Sequence, residues 1–110
     1  MKLNDYLVAN KSSGKYPMVP KITCVDGFTL SVQCGSFHYC IPREDHSSYY
    51  EAVEVGFPSA TPNIFHSYAE NYDNPTETVY GYVPINLVAA EINSHGGIEG
   101  IGLLDDVIDV

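Results

Sequence analysis

The sequence predicts an α+β fold: an antiparallel sheet, a three-stranded meander plus one or two further strands, with a C-terminal helix across one face and one or two short helices. Three observations carry this. Residues 21–41, KITCVDGFTLSVQCGSFHYCI, place β-branched and aromatic residues around two turn signals, Asp26-Gly27 and Gly35-Ser36. Residues 49–57 and 76–83 are further runs of strand-forming residues bounded by Gly, Pro and Asn. Ile85, Val88, Ala89 and Ile92 then recur at i, i+3, i+4 and i+7 behind Pro84, and Gly96-Gly97 supplies a stop.

Taken in order, residues 3–9 predict a short helix, with Leu3, Tyr6 and Leu7 on one face and Asp5 in the dipole-favoured first turn. Residues 10–20 hold Ser12-Ser13-Gly14, Pro17 and Pro20 and read as a loop. Residues 1–20 are therefore expected as an N-terminal arm, and residues 21–110 as a single domain. In the meander, a two-residue Asp26-Gly27 turn pairs Val25 with Phe28 and Thr23 with Leu30. Phe28, Leu30, Val32 and Cys34 then share the core face, joined by Phe37, Tyr39 and Ile41. The opposite face carries Cys24, Thr29, Ser31, Gln33, His38 and Cys40. Thr61-Pro62 opens a short helix over residues 62–70 that buries Ile64, Phe65 and Tyr68. In the strand at 76–83 either Val79 or Tyr80 points inward. The tail, residues 98–110, has Ile101, Leu104 and Ile108 at helical spacing, and residues 107–110 equally suit an edge strand; as an apolar tail it is a candidate homodimer surface.

Charge narrows function. The net charge is −9, and its distribution is lopsided. All the Lys and Arg residues (Lys2, Lys11, Lys15, Lys21, Arg43) precede Glu44, where only Asp5 and Asp26 oppose them; from residue 44 onward there are 12 carboxylates and no Lys or Arg. Such a half repels phosphate backbones, which argues against direct nucleic-acid binding and for a basic protein partner. No apolar run reaches membrane-spanning length, and the N-terminus lacks a signal-peptide apolar region, so a cytoplasmic protein with no membrane role is expected. Three cysteines, an odd number, fit a reducing compartment.

Residues able to do chemistry are present without a constellation. Cys24, Cys34, His38 and Cys40 are a permitted zinc set, yet they lack paired C-x-x-C spacing and fall on opposite strand faces, so no metal or other cofactor is expected. His38 and Cys40 share a face but have little nearby to lower a thiol pKa. Glu44, Asp45 and His46 cluster in a polar loop, and Glu91 and His95 form an i,i+4 pair that the helix dipole explains. The glycines of HGGIEGIG follow a helix where a phosphate cradle precedes one.

Tyrosine is abundant, nine in all, with Tyr49, Tyr50, Tyr68, Tyr72, Tyr80 and Tyr82 in the acidic half. It suits a protein-binding surface, because it brings large contact area and a polar tip at low entropic cost. The candidate partner-binding residues are Glu44, Asp45, Tyr49, Glu51, Glu54, Glu70, Tyr72, Asp73 and Glu77. An alternative is a small-ligand or enzymatic site on the polar sheet face, using Ser31, Gln33, His38 and Cys40. In size, acidity and lack of a catalytic motif the chain resembles the small anti-defence proteins of bacteriophages, such as anti-CRISPR and anti-restriction proteins. That resemblance implies a non-enzymatic, stoichiometric inhibitor of a basic, nucleic-acid-handling protein, working in the host cytoplasm.

Overall fold

The computed structural model describes residues 1–106, and the expected edge strand at 107–110 lies outside them. Helix α1 (Leu3–Asn10) leads to strands β1 (Ile22–Thr23), β2 (Thr29–Gln33), β3 (Ala52–Gly56) and β4 (Val79–Pro84), then helix α2 (Ile85–Ser94). The strands form one antiparallel sheet in the order β1-β2-β3-β4. Leu30 and Val32 of β2, Val53 and Val55 of β3, and Tyr80 and Val83 of β4 are fully buried, as are Val88, Ala89 and Ile92 of α2. Helix α2 therefore does what its periodicity predicts. Pro84 sits at its N-cap, and Gly96 and Gly97 leave it at positive φ, +88° and +89°, where a Cβ is disfavoured.

Helix α1 is not a free arm. Leu3 and Leu7, one turn apart, are fully buried in the same core, and Tyr6 packs against it. Between them in sequence, buried Asn4 acts as a surrogate strand: its Nδ2 donates to Tyr50 O at 3.0 Å and its Oδ1 accepts from Tyr50 N at 2.7 Å. Both main-chain groups of a fully buried tyrosine are thereby satisfied by one amide. The C-terminal segment closes against this helix, with Asp106 accepting the Leu3 amide at 2.7 Å and Asp105 pairing with the N-terminal amine.

The first hairpin has one more loop residue than Asp26-Gly27 alone implies. Thr23 pairs with Thr29 and Ile22 with Leu30, and Cys24 N donates to Phe28 O, leaving Val25-Asp26-Gly27 as a three-residue loop. Gly27 takes φ +94°, as a three-residue hairpin requires. Because side chains alternate, this single step turns β1 over: Ile22 and Cys24 enter the core, while Val25 is exposed. The far edge of β1 is occupied by the segment after α2, through Val25 N to Gly97 O and Glu99 N to Thr23 O.

No third meander strand forms at 37–41. Asp45 Oδ1 accepts the Ser36 amide at 2.8 Å, His38 N turns back to Gly35 O, and the Cys40 thiol lies against both Gly35 main-chain groups at 3.2 Å. These local bonds turn residues 35–40 away from β2, β3 takes the edge of β2, and Tyr39 and Ile41 bond instead to Glu54, Tyr82 and Ala52. Phe37, Tyr39 and Ile41, expected in the core, are exposed. The helix expected over 62–70 is a single 3-10 turn, His66–Tyr68; Phe65 is buried as expected, but Ile64 and Tyr68 are largely exposed. The inward residue of β4 is Tyr80. The tail through residue 106 is turns, not helix, with Ile98 and Leu104 buried in the chain's own core and Ile101 and Leu103 exposed.

Candidate functional site

The partner-binding candidates separate into two groups. Glu70, Tyr72, Asp73 and Glu77 lie in one exposed loop entering β4. Its main chain is held by Asn74 N to Asn71 O, Glu77 N to Asn74 O, Asn71 N to Thr78 Oγ1 and the Tyr80 hydroxyl to Pro75 O at 2.6 Å. Tyr72 is held as well: its ring stacks on His66 with centroids 3.8 Å apart and planes 3° from parallel, and His66 Nε2 lies 2.9 Å from Tyr72 O. Among the described residues, no Lys, Arg or His nitrogen comes within salt-bridge range of the Glu70, Asp73 or Glu77 carboxylates. The loop is therefore unneutralised negative charge around a positioned aromatic ring.

The second group is partly consumed by the fold. Asp45 caps the 35–40 loop through the Ser36 amide and hydroxyl, and those hydrogen bonds hold its carboxyl below the usual range. Glu54 Oε2 accepts the Tyr39 amide at 3.0 Å, and its Oε1 faces His38 Nδ1 at 3.4 Å. Glu44, Tyr49 and Glu51 remain exposed. Strand register sets the distance between the groups: Gly56 pairs with Val79 beside the acidic loop, whereas Ala52, next to Glu51, pairs with Pro84. Four residue steps along β3 put these ends roughly 13 Å apart.

On the polar sheet face Gln33 and Cys40 are buried, while Ser31 and His38 are half-buried. Gln33 is buried, its amide bonded to Val19 N at 2.9 Å, Val19 O at 2.7 Å and Ser31 Oγ at 3.0 Å. Cys40 is equally buried, and burial pushes its thiol pKa up, as it pushes those of Cys24 and Cys34 up to about 11. These are neutral, packed thiols. Among the described residues no group of three His, Cys, Asp or Glu side chains is placed to hold a metal ion. An open cleft of about 410 Å³ lies between α1 and the 45–48 loop. Its one ammonium, Lys11 Nζ, is already bonded to Asp45 O at 2.6 Å and to the Tyr50 hydroxyl at 2.8 Å.

Beside β4, Tyr82, one of the tyrosines the sequence offers for a protein-binding surface, pairs with Tyr39, expected in the core. One extra β4 residue bulges opposite Glu54, since Val53 pairs with Val83 but Val55 with Tyr80. Tyr82, in the bulge, has φ +53°, a strained conformation for an aromatic residue, and it is exposed. Its amide donates to Tyr39 O at 3.0 Å and the two rings lie 5.8 Å apart. Gly81 makes room: a Cβ there would sit 3.3 Å from Tyr39 Cβ. Exposed Phe37 meets Tyr16 edge-on at 5.0 Å, and the Arg43 guanidinium lies 5.6 Å from the Tyr39 ring centre. The sequence signal for the bulge is Gly81, since glycine inside a strand marks a bulge or a close approach.

Comparison with protein-family models, curated proteins and solved structures finds no match to this chain.

Proposed function

We propose that this protein is a non-enzymatic binding protein that acts stoichiometrically on a basic protein partner. The observation that carries the reading is the exposed 70–77 loop, in which unpaired carboxylates surround a tyrosine already stacked in place. Carboxylates with no internal cation attract a basic surface and speed encounter, and a ring fixed before binding loses little entropy on contact. Exposed Tyr39 and Tyr82 supply aromatic area for an anchor that a partner would bury. Glu77 and Tyr82 are five residues apart along the chain, at most about 17 Å.

The partner class most suited to this surface is a protein that handles nucleic acid, its cationic groups meeting carboxylates where phosphates otherwise sit. An anti-defence inhibitor of the anti-CRISPR type is one form of that activity. The test is affinity capture from a host lysate with washes at low and moderate salt, followed by measured affinity for whatever is retained. A basic partner held stoichiometrically, lost at moderate salt and weakened by Glu70→Lys, Asp73→Lys and Glu77→Lys together supports the reading. No partner at either wash, or an affinity unmoved by the triple reversal, overturns it.

A further inference from the structure

His95, just past the end of α2, lies between two carboxylates from different parts of the chain. Its Nδ1 is 2.6 Å from Asp26 Oδ2, in the β1–β2 loop, and its Nε2 is 3.1 Å from Glu91 Oε2, one turn back on α2. Glu91 is buried, its other oxygen accepting the Ile64 amide at 3.0 Å, and the Ser94 hydroxyl donates to the Glu91 main-chain carbonyl at 2.6 Å. Asp26 Oδ1 accepts the Phe28 amide at 2.9 Å. The Phe28 ring stacks on the imidazole, centroids 3.9 Å apart and planes 6° from parallel. Main-chain bonds run alongside, Asp26 N to His95 O at 3.2 Å and Val25 N to Gly97 O at 3.0 Å.

Carboxylates only accept, and a neutral imidazole has one N–H; both contacts are hydrogen bonds only when the ring carries two protons. In the neutral ring one nitrogen lone pair faces a carboxylate oxygen, which repels. We infer that His95 is a proton-dependent clasp: as an imidazolium it ties the β1–β2 loop to the end of helix α2, and losing its proton loosens that tie. The other ionisable neighbours do not compete. The Cys24 thiol is pushed up to about 11 by burial, then by Asp26 and Glu91, and the Tyr80 hydroxyl is raised by burial and by Glu91. Both stay neutral while a histidine titrates.

The test uses the intact protein. Imidazole nitrogen NMR at about pH 5.5 and about pH 8.5, on either side of histidine's ordinary range, reads the ring directly. Amide exchange at Val25 and Asp26, normalised to intrinsic rates, reads the tie. Two protonated nitrogens at the lower pH are expected, with protection falling about tenfold at the higher, the factor one partly exposed charge-assisted hydrogen bond carries. In His95→Asn the pH-dependent part of the protection should vanish, a comparison that removes whatever the other histidines contribute. If that variant does not fold, Asp26→Asn, at an exposed carboxylate, reports the same loss. A single protonated nitrogen at the lower pH with the amides still protected overturns the inference, as does unchanged pH dependence in a folded variant.

Discussion

Asn4→Ala sets helix propensity against tertiary docking, and the two predict opposite signs. In isolation alanine is the better helix former, and α1 should gain about 0.6 kcal/mol. In the folded protein the Asn4 amide satisfies the buried N–H and C=O of Tyr50 at 2.7 and 3.0 Å. Truncation leaves both without a partner, and each buried unpaired group costs about 1–3 kcal/mol. Part is recovered if water enters, and the helix gain offsets a little more, so the net loss is about 3 kcal/mol. Against a whole-domain stability of about 5–15 kcal/mol this is a large fraction. With a urea m-value of about 1.5 kcal/mol/M, the midpoint falls by roughly 2 M. Urea unfolding followed by far-UV circular dichroism measures this, with Val8→Ala on the exposed side of the same helix as the control, expected within about 0.5 kcal/mol of the parent. An Asn4→Ala midpoint equal to or above the parent's would refute the docking account and return residues 1–20 to the status of an arm.

Tyr82→Gly removes a side chain from a positive-φ position, so stability should hold or rise by about 1 kcal/mol while affinity for a captured partner falls; a loss of stability with affinity intact would reverse the assignment of Tyr82 as a binding anchor. Gly97→Ala places a Cβ 2.1 Å from Gly102 O at φ +89°, so it should cost more than about 2 kcal/mol in a thermal melt, and a neutral result would refute the close approach of Gly97 to Gly102. Cys24 and Cys34 have folded-state pKa values raised from 9.0 to about 11. Their contribution to stability is therefore complete below pH 9 and is lost as pH rises through about 11, and Cys24→Ser with Cys34→Ser should flatten the alkaline limb of a stability–pH curve. Thiol-specific labelling near neutral pH should in turn be slow for all three cysteines until urea unfolds the chain, and fast labelling of folded Cys40 would reopen the polar face as a site.

The α+β class, the four residues of α2 that enter the core, the alternation of Phe28, Leu30, Val32 and Cys34 and the Gly96-Gly97 stop were legible because each follows from local periodicity or backbone preference. So was the charge of the 70–77 loop, which needs no fold to be counted. The register of β1 was not, because a two-residue and a three-residue loop read almost alike around Asp26-Gly27, and one step exchanges every side chain between faces. The 37–41 stretch failed for another reason. Its alternation suits a strand, but the Asp45 carboxylate and the Cys40 thiol hold the Ser36 and Gly35 main chain in a turn, contacts the alternation does not show.

Composition, charge asymmetry and short-range pattern thus belong to the chain alone, since they depend on residues a few positions apart. The 70–77 loop is built from contacts a few residues apart, but the aromatic pair and the docking of α1 come from residues distant in sequence. Asn4 meets Tyr50, Asp45 caps Ser36, and Tyr82 reaches Tyr39 across a bulge. These contacts join residues whose spacing carries no period, and each exists only because a buried polar group or an exposed ring had to be matched in three dimensions. That matching turned expected core aromatics outward and drew an expected arm into the core, and no local propensity encodes it.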